Sequence, residues 1–263
     1  MDITPLKQIL LTFMVFTPRL LAAISILPFL NREVMPGLVR NSVALVFVLI
    51  LYPMGAPLTA GSLPAYPLLV ALVAKEVFLG CLLGFLAGGL FWAAEGMGIF
   101  IDNQRGAGMG GFFDPISGSQ TSSLGTLLLQ LITVLFFSGG GFLLLLGVIF
   151  ESYRVWPVFS FFPHLTPGFS DFFLAQADRI MRLIVLLGGP IVIVMFISEI
   201  GLGLINRFAP QLNVFFISMP IKSGIAVFLL ILYVRFIEVY FEEEFLGFKH
   251  LLEELSTCIE GPA

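Results

Sequence analysis

The sequence has 263 residues, of which 58% are hydrophobic and 11% charged, and its mean hydropathy is +1.04. Soluble domains carry about 25% charged residues, so this composition excludes a soluble globular protein and favours a protein buried in a bilayer. The formal net charge of −4 and the lack of a basic patch in the sequence exclude nucleic acid as a partner.

Six apolar stretches of the sequence are predicted to form membrane helices. A helix needs about 20 mostly apolar residues to cross the hydrocarbon core. The stretches that approach this length are roughly 9–30, 38–58, 66–101, 124–150, 180–205 and 212–237. The first lacks a basic leader and a clean cleavage site, which predicts a retained membrane segment and not a signal peptide. Residues 1–237 are therefore predicted to form one all-α, multi-pass membrane domain.

Charged and helix-weakening residues interrupt these stretches. They are Lys75, Glu76 and Glu95 in the third stretch, Gly139–Gly141 in the fourth, and Gly188–Pro190 followed by Glu199 in the fifth. Glycine and proline weaken a helix locally, and charges at membrane depth face protein or a water-filled cavity. We therefore expect bent and broken helical hairpins that pack against other protein.

Two further patterns concern packing. Gly80, Gly84 and Gly88 recur every four residues, which predicts a ridge that another helix can approach closely. That helix belongs either to another subunit or to this chain. The interval 151–178 is rich in phenylalanine and proline, and aromatic rings favour the headgroup level, so it is predicted to be an interfacial loop with short helices.

The segment Gly106–Ser123 is the most unusual part of the sequence. It reads GAGMGGFFDPISGSQTSS, in which Gly106, Gly108, Gly110 and Gly111 permit strained backbone, Met109, Phe112 and Phe113 are bulky and apolar, and Asp114-Pro115 predicts a turn. Glycines beside soft apolar side chains suit a movable constriction that excludes water and small ions. The alternative is a re-entrant connector whose phenylalanines anchor it in the interface.

A second polar interruption lies between the fifth and sixth stretches. It reads RFAPQLNVF from Arg207 and is followed by Met219-Pro220-Ile221-Lys222. Pro210 is expected to end or kink the helix, and the Asn213 side chain can satisfy exposed backbone groups. The residues alone predict a turn between two apolar segments.

The C-terminal residues 238–263 are predicted to be an acidic amphipathic tail. They contain seven acidic residues and one lysine, a net charge of −6. Apolar residues recur at helical spacing, at Ile237, Phe241, Phe245, Phe248, Leu252 and Leu255. Such a helix lies on a membrane surface or against a partner, and its acidic face favours protein over anionic lipid.

Two blocks of the chain together resemble the inner-membrane export-apparatus subunit of type III secretion, the SctT (YscT, SpaR) family of injectisomes and the FliR family of flagella. One block is RFAPQLNVF followed by PIK. The other runs from Glu95 through Gly96, Gly98 and Gln104 to the glycine-rich segment and FFDP. The resemblance covers nearly the whole chain and favours the injectisome branch.

The resemblance implies a multi-subunit export gate in the bacterial inner membrane, through which unfolded proteins pass. Its companions would be subunits of the SctR/FliP and SctS/FliQ types, with a switch protein of the SctU/FlhB type docked outside. The family's plug falls on Gly106, Gly108, Met109, Gly110, Gly111, Phe112, Phe113, Asp114 and Pro115. Candidate subunit contacts are Gly80, Gly84, Gly88, Glu95, Glu199, Arg207, Pro210, Asn213 and Lys222.

The alternative function is a secondary ion-coupled transporter, which would use Glu95 and Glu199 at a coupling-ion site. No inverted repeat supports it. An enzyme is not expected, because the sequence lacks HExxH and GxSxG motifs, and His164 and His250 have no metal-ligand spacing. No cofactor or metal is predicted. Cys81 and Cys258 lie in an apolar and a polar setting, which argues against a disulfide.

Overall fold

The computed structural model describes residues 4–30, 35–55, 66–107, 122–160, 168–209, 211 and 213–248. Within these ranges the regular structure is helical and contains no strand. The helices are α1 (Thr4–Ile26), α2 (Gly37–Gly55), α3 (Tyr66–Arg105), α4 (Ser123–Ser138), α5 (Gly141–Val155), α6 (Gly168–Phe208) and α7 (Val214–Leu246), with a 3₁₀ turn at Pro28–Leu30. This confirms the prediction of an all-α protein.

Three of these helices are long and apolar enough to cross a membrane. They cover Pro67–Arg105, Gly168–Phe208 and Val214–Leu246, and α4 and α5 together make a fourth candidate span interrupted at a short break. At that break Gly140 adopts a φ of +74°, a conformation that glycine takes without steric cost. The predicted interruption of the fourth stretch is therefore present.

Two predictions about local structure were wrong. Helix α6 continues through Gly188–Pro190, and Gly188 packs against Phe100, whose ring lies 3.0 Å from where a Cβ would stand. The predicted loop at 151–178 is shorter than expected, because helix α5 extends to Val155 and α6 begins at Gly168. The phenylalanines of the first turns of α6, Phe169, Phe172 and Phe173, pack against a buried cluster of Leu79, Leu83 and Trp156.

The chain divides into two compact units. The first unit comprises Met1–Gly89, Gly141–Leu174 and Gly247–Ala263, and the second comprises Leu90–Gly140 and Ala175–Leu246. In the first unit α1 packs on α2 and also lies against α3, where a Cβ on Gly80 would stand 2.2 Å from the carbonyl oxygen of Arg19. A Cβ on Gly84 would stand 2.8 Å from the carbonyl oxygen of Ala23. For these two glycines, the helix that packs on the predicted ridge is α1 of the same chain.

The core of the second unit is aromatic. Phe91 on α3 meets Phe136 on α4 edge to face at a centroid distance of 5.1 Å, and Phe136 meets Phe245 on α7 at the same distance. Phe241 and Ile237 are also buried, so this part of the predicted apolar stripe packs inside its own unit and not on a membrane surface. The predicted boundary at 237/238 lies within α7, and most of the acidic tail lies outside the described residues.

Candidate functional site

The glycine-rich segment begins at the end of α3. Gly106 follows the helix with a φ of +84°, and its N–H donates to the carbonyl oxygen of Asn103 at 3.2 Å. This left-handed residue ends the helix in the way typical of a C-terminal glycine. The other predicted plug residues, which are Gly108, Met109, Gly110, Gly111, Phe112, Phe113, Asp114 and Pro115, lie outside the described residues.

A buried carboxylate connects the two helices that border this segment. Asp102, in the last turn of α3, is 3% exposed. Its Oδ2 accepts hydrogen bonds from the hydroxyl of Ser122 at 2.7 Å and from the backbone N–H of Leu124 at 3.1 Å. The Arg105 Nε lies 2.7 Å from its Oδ1 without hydrogen-bond alignment, so that contact is an electrostatic one.

Sequence analysis missed Asp102, although a signal was present. Asp102 precedes the glycines by one helical turn, and the serines Ser122 and Ser123 stand directly before the next apolar stretch. Serine before an apolar run is a typical N-cap, and here the Ser122 hydroxyl accepts from the Gly125 N–H at 2.8 Å. An acid and an N-cap serine on either side of a loop are a reasonable pair to test for contact.

Two of the predicted contact residues pair with each other in the second unit. The ammonium of Lys222 on α7 lies 3.2 Å from the carboxylate of Glu199 on α6. The same carboxylate oxygen accepts a hydrogen bond from the side-chain amide of Gln104 at 3.3 Å. Glu199 therefore joins the end of α3 to α6 and α7, and its side chain is still 48% exposed.

The surroundings of Glu199 are apolar and uncovered. Phe196, Ile197 and Ile200 are each more than half exposed. Positions for a Cβ on Gly201 and Gly203 have no atom within 4 Å. A charged group is expensive on a surface that faces lipid, so this face favours contact with protein.

The remaining predicted contact residues are less constrained. Arg207 is exposed, and the backbone carbonyl oxygen of Asn213 accepts from the N–H of Phe216 at 3.1 Å in the first turn of α7. Pro210 lies outside the described residues. Glu95 is half-buried and makes no ion pair with another described residue. Gly88 is buried. The close approach of another helix to Gly88 stays a prediction.

The first unit holds the other concentration of charge. Arg19 on α1 makes a two-pronged contact with the Glu76 carboxylate on α3, at 2.7 and 3.0 Å. Its guanidinium also donates to Ser152 and to the carbonyl oxygen of Trp156 at the end of α5, and lies 4.1 Å from the centroid of the Tyr153 ring. Sequence analysis noted Lys75 and Glu76 but did not foresee their partner on α1.

Lys75 completes this network. Its ammonium lies 3.0 Å from Glu76 and donates to the carbonyl oxygens of Pro157, Val158 and Ser160. Carbonyl groups beyond the end of a helix lack intrahelical partners, and a cation satisfies them. The network is closed and its donors are paired, which indicates a structural role. Among the described residues there is no group of three or more His, Cys, Asp or Glu that could hold a metal.

Comparison with known proteins decides the family. The family described as "Bacterial export proteins, family 1" matches residues 10–248. The chain belongs to this family. It is 44% identical over 229 residues to the Yop proteins translocation protein T of Yersinia pestis, which is 87% of each chain. It is 35% identical to the surface presentation of antigens protein SpaR of Salmonella typhimurium, over 79% of this chain and 76% of that one.

Flagellar members of the family are more distant relatives. The flagellar biosynthetic protein FliR of Escherichia coli is 27% identical over 90% of this chain and 89% of its own. As a member of the bacterial export proteins with several apolar spans, the chain is a multi-pass component of an export apparatus in the inner membrane. This confirms the predicted family and localisation, and it favours the export-gate prediction over an ion-coupled transporter.

Proposed function

We propose that this chain is a structural and gating subunit of a type III secretion export gate, where it forms part of the inner-membrane pore for unfolded proteins. The observation that carries the proposal is the face around Glu199. A half-exposed carboxylate among uncovered apolar side chains is unsuited to lipid and suited to a neighbouring subunit. In the most apolar 18-residue stretch of each long helix, the buried fraction of the residues is 39% for α3, 28% for α6 and 17% for α7.

The proposed partners rest on the resemblance to the family. The companions of the chain are subunits of the SctR/FliP and SctS/FliQ types, and a switch protein of the SctU/FlhB type docks on the assembly. Higher identity to Yop proteins translocation protein T than to FliR supports the injectisome branch. The chain has no catalytic activity of its own, and binds no cofactor. Unfolded substrate proteins contact it only in transit.

The glycine-rich segment is the plug of the closed pore. Met109, Phe112 and Phe113 supply compliant apolar bulk that excludes water and small ions, and the glycines supply conformational freedom. The left-handed Gly106 at the start of the segment supports a role for glycine in setting its direction. Side chains without charge let a polypeptide pass without strong binding.

The plug is tested by replacing Phe112 and Phe113 with alanine in the assembled complex. Removing two rings from a hydrophobic constriction should admit water, so the resting conductance for small ions should rise at least about tenfold while assembly is retained. The measurement is single-channel conductance of purified complexes in planar bilayers.

A matched control also removes two aromatic rings, but from a different part of the chain. Phe215 and Phe216 are also consecutive, and both are exposed at the start of α7. The double variant Phe215→Ala/Phe216→Ala should leave the resting conductance of recovered complexes unchanged. Equal conductance for the Phe112/Phe113 variant and the parent complex would remove the plug from the proposal.

A further inference from the structure

Asp102 is a buried acid at the end of α3 in the second unit. Its carboxylate is buried at the end of α3 and reaches across to the first turn of α4. One oxygen accepts two hydrogen bonds from that turn, from the Ser122 hydroxyl and the Leu124 N–H. The first N–H groups of a helix lack intrahelical acceptors, so Asp102 acts as a cap that comes from a different helix.

Charge strengthens this cap. The N-terminal end of a helix carries a partial positive charge, and a carboxylate placed there is stabilised. Hydrogen bonds to an ionised acceptor are about twice as strong as neutral ones. Arg105, one turn further along α3, balances the carboxylate from the other side at 2.7 Å. The buried charge is thus offset on both sides.

The backbones of α3 and α4 come close together next to the cap. A Cβ on Gly98 of α3 would stand 2.3 Å from the backbone nitrogen of Gly125 on α4. A Cβ on Gly125 would in turn stand 3.1 Å from the carbonyl oxygen of Glu95. The two helices therefore touch backbone to backbone one turn away from Asp102.

The turn of α3 that carries Asp102 is also tied to the rest of the second unit. Gln104 bonds to Glu199, which pairs with Lys222. Gly106 lies beside Met219, whose side chain would be 3.7 Å from a Cβ at that position. The end of α3 is therefore held by α4, α6 and α7 together.

We propose that Asp102 is a positioning residue that holds together the two ends of the glycine-rich segment, Gly106 at one end and Ser122 at the other. This inference rests on the proposed plug for its functional consequence. Asp102 contributes no side chain to the constriction. It fixes the described residues at the two borders of the segment, so a substitution of Asp102 would act on the proposed plug without altering a plug side chain.

The positioning role is tested by the distance between the two ends. Spin labels are attached to Ala107→Cys and Ser123→Cys, both at exposed positions, in complexes whose native Cys81 and Cys258 are serine. Electron paramagnetic resonance should give one narrow distance in the parent. In Asp102→Leu, conformers with a longer distance between the two labels should become about tenfold more populated, because charge-assisted hydrogen bonds of a buried group are lost.

Graded variants separate the cap from the ion pair. Asp102→Asn keeps an acceptor for Ser122 and Leu124 but loses its charge, so its distance distribution should lie between those of the parent and Asp102→Leu. Ser122→Ala removes the hydroxyl and leaves the carboxylate, and it carries the test if Asp102→Leu is not recovered. Asp178→Asn removes an exposed acid of the same unit and should leave the distance unchanged.

Resting conductance of the same variants connects position to function. We expect a rise in Asp102→Leu and none in Asp178→Asn. An unchanged narrow distance in both Asp102→Leu and Ser122→Ala would overturn the positioning role. A broadened distance without any change in conductance would retain that role and contradict the plug.

Discussion

The Arg19 network of the first unit and the Glu199 network of the second unit differ in how far the chain encloses them. In the first unit Arg19 and Glu76 are completely enclosed, and Arg19 makes five hydrogen bonds to α3, α5 and the residue that follows α5. In the second unit Glu199 pairs with Lys222 and Gln104 but keeps 48% of its side chain exposed. Glycines near the two networks show the same contrast, since α1 fills the space beside Gly80 whereas Gly201 and Gly203 face open space.

This difference indicates which charges hold the fold and which are available to a partner. A buried charge must have its hydrogen bonds satisfied within the protein, and the Arg19 network has its partners within the first unit. A partly exposed charge on an apolar face is open to a partner outside the chain. We therefore expect variants of the first network to lower stability, and variants of the second to lower assembly.

The largest effect is expected for Arg19→Ala. Its removal takes one donor from each of the carbonyl oxygens of Ser152 and Trp156 and weakens the neutralisation of Glu76, at a cost of about 3–5 kcal/mol in free energy of unfolding. The measurement is denaturant unfolding of the detergent-solubilised chain, together with its yield in membranes.

Arg154→Ala is the matched control. Arg154 lies on α5 in the same unit, pairs with Glu151 and is 68% exposed. An exposed pair contributes about 0–1 kcal/mol, so the variant should unfold close to the parent. Equal losses for the two arginines would contradict the assignment of Arg19 to the structural network.

A smaller loss is expected for Gly80→Ala. The new Cβ would stand 2.2 Å from the Arg19 carbonyl oxygen, which forces α1 and α3 apart. Overpacking of this kind costs about 1–3 kcal/mol. Gly147→Ala, in α5 with no atom within 4 Å of its Cβ position, should instead be neutral or gain up to about 1 kcal/mol from helix propensity. Thermal unfolding of both variants would show whether the close approach of another helix or the helix propensity of glycine determines the change in stability.

The smallest effect on the isolated chain is expected for Glu199→Gln. The amide can still accept from Lys222 and Gln104, so the free energy of unfolding should change by less than about 1 kcal/mol. Loss of the charge should nevertheless lower recovery of the assembled complex several-fold, measured by co-purification of companion subunits.

Glu238→Gln provides the comparison for Glu199. Glu238 is paired with the exposed Arg235 on α7 and is 31% exposed. We expect complexes with this variant to be recovered at the level of the parent. Recovery of the Glu199 variant at that same level would remove Glu199 from the subunit interface.

The all-α prediction, which rests on local chain properties, was confirmed. The positions of the apolar helices follow from hydropathy, because a span must be apolar over a fixed length. The break at Gly139–Gly141 was also predicted, since consecutive glycines favour a turn. Gly188–Pro190 has similar composition, but α6 continues through it, with Gly188 packed against Phe100. Composition by itself therefore does not separate these two cases.

The sequence by itself determined an all-helical membrane protein, the family to which it belongs and the location of its glycine-rich segment. These depend on hydropathy, on short motifs and on glycine content, all of which are properties of neighbouring residues. Only the tertiary structure decided that Arg19 meets Glu76 across 57 positions, and that Asp102 caps α4 across the glycine-rich segment. Such pairings depend on which helices pack together. A charged residue in an apolar stretch indicates that a partner is needed, but the sequence does not identify that partner.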